Sequence, residues 1–128
     1  MVAIYSANLL EYDWTERTQV VWVSSLLPLR TGPKIESNFE KDLKSYLEGY
    51  ELAPIQKIIE SFENYDFSDV KVRLVSSVPG RHKNQDKFKF GHFRVRSLLR
   101  TEAKNCQKSD KIVGQFSSIG MESPIFYF

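Results

Sequence analysis

Behind the spacing Ser37-x-x-Glu40 the residues Phe39, Leu43, Tyr46, Leu47 and Tyr50 recur along one helical face, and no other stretch limits the fold so strongly. The step from Ser37 to Glu40 is that of a capping box, so a helix is expected over residues 39–50. Pro54 suits the first turn of a second helix, in which Ile55, Ile58, Ile59 and Phe62 again fall at helical spacing. From Gly91, the residues Val95, Leu98, Leu99 and Ala103 outline a third, with Arg94, Arg96 and Arg100 on its more exposed sides. Short β-rich runs alternate with these helices: Val2–Tyr5, Gln19–Val23, the alternating Val70–Leu74, and Ile112–Phe116. Leu26–Asn38 and Ser76–Gln85 carry the prolines and glycines of loops. The alternation predicts an α/β fold, a mixed α/β sandwich.

Charge divides the chain more sharply than its formal +2 suggests. Residues 36–69 hold nine acidic and three basic side chains, whereas residues 71–111 hold twelve basic and three acidic. The basic segment attracts polyanions by counterion release, and Arg81, Lys83, Lys87, Lys89, Arg94, Arg96 and Arg100 are interleaved with Phe88, Phe90 and Phe93. The alternative is a solvated face with the phenylalanines in the core, and for the phenylalanines that alternative is the expectation. A single cysteine, Cys106, excludes an internal disulfide and a cysteine-rich metal site. No stretch has the unbroken apolar length of a membrane span, and no signal peptide is evident, so a soluble intracellular protein is expected.

Two side-chain amides stand at or beside the ends of the first two expected strands. Asn8 follows Val2–Tyr5, and Gln19 opens the second run after the polar stretch Glu11–Thr18. Strand ends are where open α/β sheets gather ligand-binding groups, and a carboxamide can donate to a phosphate oxygen while accepting from a His or Lys. An asparagine after a strand is also an ordinary turn residue.

The motifs S-A-N-L-L-E-Y-D-W-T-E-R-T-Q (residues 6–19), F-E-K-D-L-K-S-Y-L (39–47), P-G-R (79–81), G-H-F-R (91–94) and G-Q-F-S-S-I-G (114–120) together resemble the tyrosyl-DNA phosphodiesterase family of the phospholipase D superfamily. The order and spacing of the five blocks match as well. The resemblance implies an incomplete phospholipase D-type α/β/α sandwich of mixed sheets, spanning the junction of two lobes. Residues 1–69 would close the first lobe and 70–128 open the second, the charge switch falling at the same place. It implies a nuclear DNA-repair hydrolase acting on the 3′-phosphotyrosyl bond between DNA and a stalled type IB topoisomerase, through a phosphohistidine. No metal or cofactor is implied. Its partners would be single- or double-stranded DNA 3′ ends carrying a topoisomerase tyrosine or peptide, and the remainder of its own polypeptide, with no membrane. Asn8 matches a phosphate-holding asparagine, Gln19 a glutamine that orients a catalytic histidine, and Ser117 and Ser118 a loop touching the DNA backbone.

Departures from the family pattern matter as much as the matches. The first His-x-Lys would lie upstream of Val2 and the whole second motif beyond Phe128. The two histidines present, His82 and His92, stand in other contexts: Arg81-His82-Lys83-Asn84 has its lysine adjacent to the histidine, and His92-x-Arg94 opens a helix. The tail Glu122–Phe128 also leaves the pattern. The expectation is therefore an enzyme by family whose present chain is inactive on its own. A non-catalytic phosphate- or DNA-binding remnant is the alternative.

Overall fold

The computed structural model of the chain describes residues 1–107, 109–111, 113 and 114. They fall into two compact units, one built on Val2–Val23 and the other on Ser24–Gln107.

The smaller unit is a β-ribbon with a helical turn between its strands. Strands β1 (Ala3–Tyr5) and β2 (Val21–Val23) pair antiparallel, with Ala3 opposite Val23, Ile4 opposite Trp22 and Tyr5 opposite Val21. Past Tyr5 the Ser6 N–H still donates to the Val20 carbonyl at 3.0 Å. The Val20 N–H, however, donates to Ser6 Oγ at 2.9 Å. A side chain thus takes the place of a backbone acceptor, and both strands are shorter than the runs Val2–Tyr5 and Gln19–Val23 expected from sequence. Within the stretch read as polar, Glu11–Thr15 forms a helix, α1, that five residues are too few to announce by periodicity.

The larger unit carries α2 (Asn38–Glu48), α3 (Ala53–Ser61) and α4 (Gly91–Glu102), with 3-10 turns at Phe62–Asn64 and Asn84–Phe88. Ser37 caps α2 as expected, its Oγ accepting from the Glu40 N–H at 3.1 Å. The reciprocal half of the box is not made. Glu40 is fully buried and faces Arg30 at 3.5 Å and Lys44 at 3.0 Å. Burial disfavours the charge on Lys44, yet Glu40 and Glu36, each at 3.0 Å, with Glu63 at 3.3 Å, outweigh it and raise the pKa above that of an ordinary lysine. Pro54 lies in the first turn of α3, where its missing N–H costs nothing.

Phe67 is at the centre of the core, its ring 5.3 Å from that of Phe62 and 6.3 Å from that of Phe39. Leu43, Ile59, Val70, Val78 and Leu98 complete the buried set. The long loop before α2 is pinned through Arg30. Its backbone N–H donates to Asn64, and its guanidinium donates to the carbonyls of Glu63 and Tyr65.

Val70–Leu74, expected as a strand, is not one. Val70 is inside and Lys71 outside, but Val72 is exposed and Arg73 is half-buried, and no neighbouring strand among the described residues offers a ladder. The run Ile112–Phe116 lies mostly outside the described residues, at 112, 115 and 116. Among the described residues the architecture is mixed α/β, four helices with one two-stranded sheet, and no helix is long and apolar enough to cross a membrane. The boundary expected at Ser68–Val70 falls inside Ser24–Gln107.

Candidate functional site

The ribbon brings both sequence-identified amides onto one residue, Asp13. Helix α1 turns the Asp13 side chain inward, leaving it only 4% exposed. Its Oδ2 accepts from Asn8 twice, from Nδ2 at 2.8 Å and from the backbone N–H at 3.1 Å. Gln19 reaches the same residue by a different group, Nε2 donating to the Asp13 backbone carbonyl at 2.9 Å. Ser6 closes the circuit, its hydroxyl donating to Gln19 Oε1 at 2.6 Å.

These bonds fix the orientation of each amide. A carboxylate accepts only, so the nitrogen of the Asn8 carboxamide must face Asp13. The second N–H of Asn8 and its Oδ1 have no partner among the described residues, and Asn8 is exposed. An oriented carboxamide N–H of this kind can donate to an oxygen acceptor of a ligand. Gln19 is half-buried and engaged at both ends, a group that holds rather than reacts.

The Asp13 carboxyl lies below the usual carboxylate range. The Asn8 side-chain amide is the largest cause and the Asn8 backbone N–H the next; burial works against them, and Arg17, 3.6 Å away, adds to the lowering. Aromatic rings border the turn. Trp14 Nε1 donates to the Asn8 carbonyl at 2.8 Å and its ring is 5.3 Å from Tyr5, while Arg17 sits over the Tyr12 ring.

Sequence reasoning found Asn8 and Gln19 but not Asp13 or Ser6, which hold them. Asp13 falls within the polar stretch Glu11–Thr18, where the available signal is an acidic residue followed directly by a tryptophan inside a stretch too short to show a helical period. Ser117 and Ser118 lie outside the described residues.

The histidines have structural surroundings. His82 donates from Nε2 to the Val78 carbonyl at 2.9 Å and packs 4.8 Å from the Phe90 ring. His92 is exposed at the start of α4 beside Phe93. In the basic segment, Arg81, Lys83, Lys87, Arg96 and Arg100 are exposed with no carboxylate partner among the described residues, while Lys89 pairs with Asp86 at 2.8 Å. Arg94, expected on a more exposed side of its helix, turns inward instead and donates to Asp42 at 2.6 Å, because a half-buried carboxylate on α2 faces it. Phe90 and Phe93 are half-buried, whereas Phe88 keeps 38% of its surface exposed. Among the described residues no group of three or more His, Cys, Asp or Glu is arranged to hold a metal.

A family model described as tyrosyl-DNA phosphodiesterase matches residues 1–124, reaching into the tail that departs from the motif pattern. The chain is 38% identical over 127 residues to tyrosyl-DNA phosphodiesterase 1 of Drosophila melanogaster, covering 93% of this chain and 22% of that protein. It is 29% identical over 133 residues to tyrosyl-DNA phosphodiesterase 1 of Arabidopsis thaliana, again 93% of this chain and 22% of the other. A probable tyrosyl-DNA phosphodiesterase of Caenorhabditis elegans is 29% identical over 134 residues, 99% of this chain and 30% of that protein. The chain thus spans between 22% and 30% of the length of these relatives.

Proposed function

The chain belongs to the tyrosyl-DNA phosphodiesterase family, and from that premise we propose that it is the phosphate-holding part of a nuclear DNA-repair hydrolase. The full reaction is cleavage of the 3′-phosphotyrosyl bond joining DNA to a stalled type IB topoisomerase, through a phosphohistidine. In this reading the whole protein is a phospholipase D-type α/β/α sandwich, of which residues 1–69 close one lobe and 70–128 open the next. Asn8 supplies a hydrogen bond to a phosphoryl oxygen, Gln19 orients a histidine contributed by the rest of the polypeptide, and Ser117 and Ser118 touch the DNA backbone.

The observation that carries the reading is the Asn8 amide. Its nitrogen is fixed by Asp13 while one N–H remains uncommitted on an exposed side chain. A donor fixed before substrate arrives gives up no orientation when charge develops on the phosphate, which is how such groups favour a transition state. The nucleophile and the acid are not supplied by His82 or His92, whose neighbours are a backbone carbonyl and phenylalanine rings.

Two measurements test this. A 3′-phosphorylated oligonucleotide added to the chain shifts the Asn8 side-chain amide resonance, and the shift is absent for the same oligonucleotide with a 3′ hydroxyl. Incubated with a 3′-phosphotyrosyl oligonucleotide, the chain alone releases no tyrosine above a heat-killed control. Indifference of the Asn8 resonance to the phosphate sinks the reading, and turnover abolished by His82→Ala or His92→Ala reassigns the chemistry to those histidines. The second reading, a binding remnant that performs no reaction in any context, draws on the exposed cations of the basic segment. It predicts salt-dependent oligonucleotide binding that is blind to the 3′ phosphate.

A further inference from the structure

A cleft of about 310 Å³ opens between α2, the segment after Val70 and the 3-10 turn before α4, with Lys41, Asp42, Gln85, Phe88, Lys89 and Arg94 among its lining residues. Its donors are largely uncommitted. Among the described residues no side-chain partner engages Lys41, Ser45, Ser76 or Gln85. Arg94 is held by Asp42 through one guanidinium nitrogen at 2.6 Å, which aims its remaining N–H groups without using them. Among the described residues Lys89 is paired with Asp86, 57% and 61% of the two side chains being exposed, and such surface pairs exchange partners at little cost. Of the three lining cations, Lys41 has no carboxylate partner among the described residues, while Arg94 is paired with Asp42 and Lys89 with Asp86. Leu74 and the partly exposed Phe88 give the cleft an apolar wall.

We infer that this cleft binds a nucleotide unit, with its phosphate between Lys41, Lys89 and Arg94 and its sugar or base against Phe88 and Leu74. The chemistry is that of small-molecule sites, a few convergent polar groups beside an apolar surface, in a cavity at the small end of the range for such ligands. A phosphate suits the unpaired Lys41 together with the N–H groups that Arg94 does not spend on Asp42 and a Lys89 whose surface pair can exchange, and hydroxyls and an amide suit its oxygens and the sugar. The site uses none of the residues to which phosphate handling was assigned above. The unit could come from a free mononucleotide or from the terminal nucleotide of a single strand, and the shared chemistry is a phosphate monoester beside a nucleoside.

The whole chain titrated with adenosine monophosphate, with adenosine, with inorganic phosphate and with a 5′-phosphorylated single-stranded hexamer tests the inference, followed by chemical shifts of the Gln85 and Arg94 side chains. Adenosine monophosphate saturates with a Kd of about 1 mM or tighter, adenosine does not saturate, and phosphate binds more weakly at the same resonances. Lys41→Gln weakens the mononucleotide about tenfold, as expected for losing one charge-assisted hydrogen bond, and Gln85→Ala weakens it less. Lys57→Gln, an exposed cation on α3 outside the cleft, changes nothing. Arg94→Lys is read only alongside a circular dichroism spectrum, because Arg94 pairs with the half-buried Asp42, which Arg73 also faces at 3.7 Å. A free mononucleotide as the ligand leaves the hexamer no tighter than adenosine monophosphate, whereas a strand end makes the hexamer tighter and competitive with it. Failure of adenosine monophosphate to saturate overturns the inference, and so does equal loss with Lys41→Gln and Lys57→Gln, or binding of the hexamer with the cleft resonances unmoved.

Discussion

Replacing Gln19 by alanine removes two neutral hydrogen bonds at once, the one accepted from Ser6 at 2.6 Å and the one donated to the Asp13 carbonyl at 2.9 Å. A neutral intramolecular hydrogen bond contributes about 1 kcal/mol net, so the loss is about 2 kcal/mol of the stability of the ribbon. With a urea dependence of about 1 kcal/mol/M for so small a unit, the midpoint falls by about 2 M. Intrinsic fluorescence reads this unit directly, because both tryptophans, Trp14 and Trp22, lie within Val2–Val23. Gln19→Glu sharpens the test. It keeps an acceptor for Ser6 but sets a second oxygen against the Asp13 carbonyl, so at neutral pH it is at least as damaging as alanine and recovers when acid protonates it. In a double-mutant cycle Ser6→Ala and Gln19→Ala share about 1 kcal/mol, the bond between them. A Gln19→Ala midpoint equal to the parent's, or a Glu variant as stable as the parent at neutral pH, refutes the argument that the glutamine is locked in this orientation.

Four further outcomes follow from particular contacts. The Asp13 carboxyl is held low, first by the Asn8 amide, so the tie contributes stability above the ordinary carboxylate pKa and loses it as pH falls through the depressed value. Trp14 emission is therefore flat from neutral pH down to the ordinary carboxylate range and changes below it. Asn8→Asp sets two carboxylates where the parent has a 2.8 Å hydrogen bond, and so unfolds the ribbon at lower urea than Asn8→Ala, by the same fluorescence readout, with the order reversing in acid. In the larger unit Phe67→Ala, at 1% exposure and against two rings, costs about 4 kcal/mol by urea-monitored circular dichroism, whereas Ser37→Ala costs about 1 kcal/mol and Ser37→Asp is tolerated.

Helices α2, α3 and α4 were legible because each carries enough turns for an apolar stripe to repeat, and because Ser37 and Pro54 mark starts by local chemistry. Helix α1 was not, since five residues make little more than one turn. The alternation of Val70–Leu74 holds at Val70 and Lys71 but fails at Val72, which is exposed, and at Arg73, which is half-buried against Asp42 and Glu102; a strand also needs a partner, and pairing is a property of two segments that neither reveals alone. At the site, the amides were visible by their place after the strand runs. Their supports were not, because what makes Asp13 notable is its burial, and an acidic letter amid Glu11, Tyr12 and Trp14 gives no sign of that. Glu40 makes the same point: its spacing from Ser37 announced a cap, while its carboxylate went to Arg30 and Lys44.

Asp13 serves Asn8 with its side chain and Gln19 with its main chain, and that division makes the two amides genetically separable. Any residue that keeps the α1 turn still presents a carbonyl to Gln19, so substitution at position 13 reaches Asn8 and the exposed Arg17 pair but spares Gln19. No single replacement at position 13 gives the opposite lesion, and the bond between Gln19 and the Asp13 carbonyl is lost only from the glutamine's own end or by unwinding the turn. A screen for suppressors should therefore be lopsided. Losses at Asp13 admit compensation by new acceptors for the Asn8 amide at neighbouring positions, whereas losses at Gln19 leave a backbone oxygen that only another long donor at position 19 can reach.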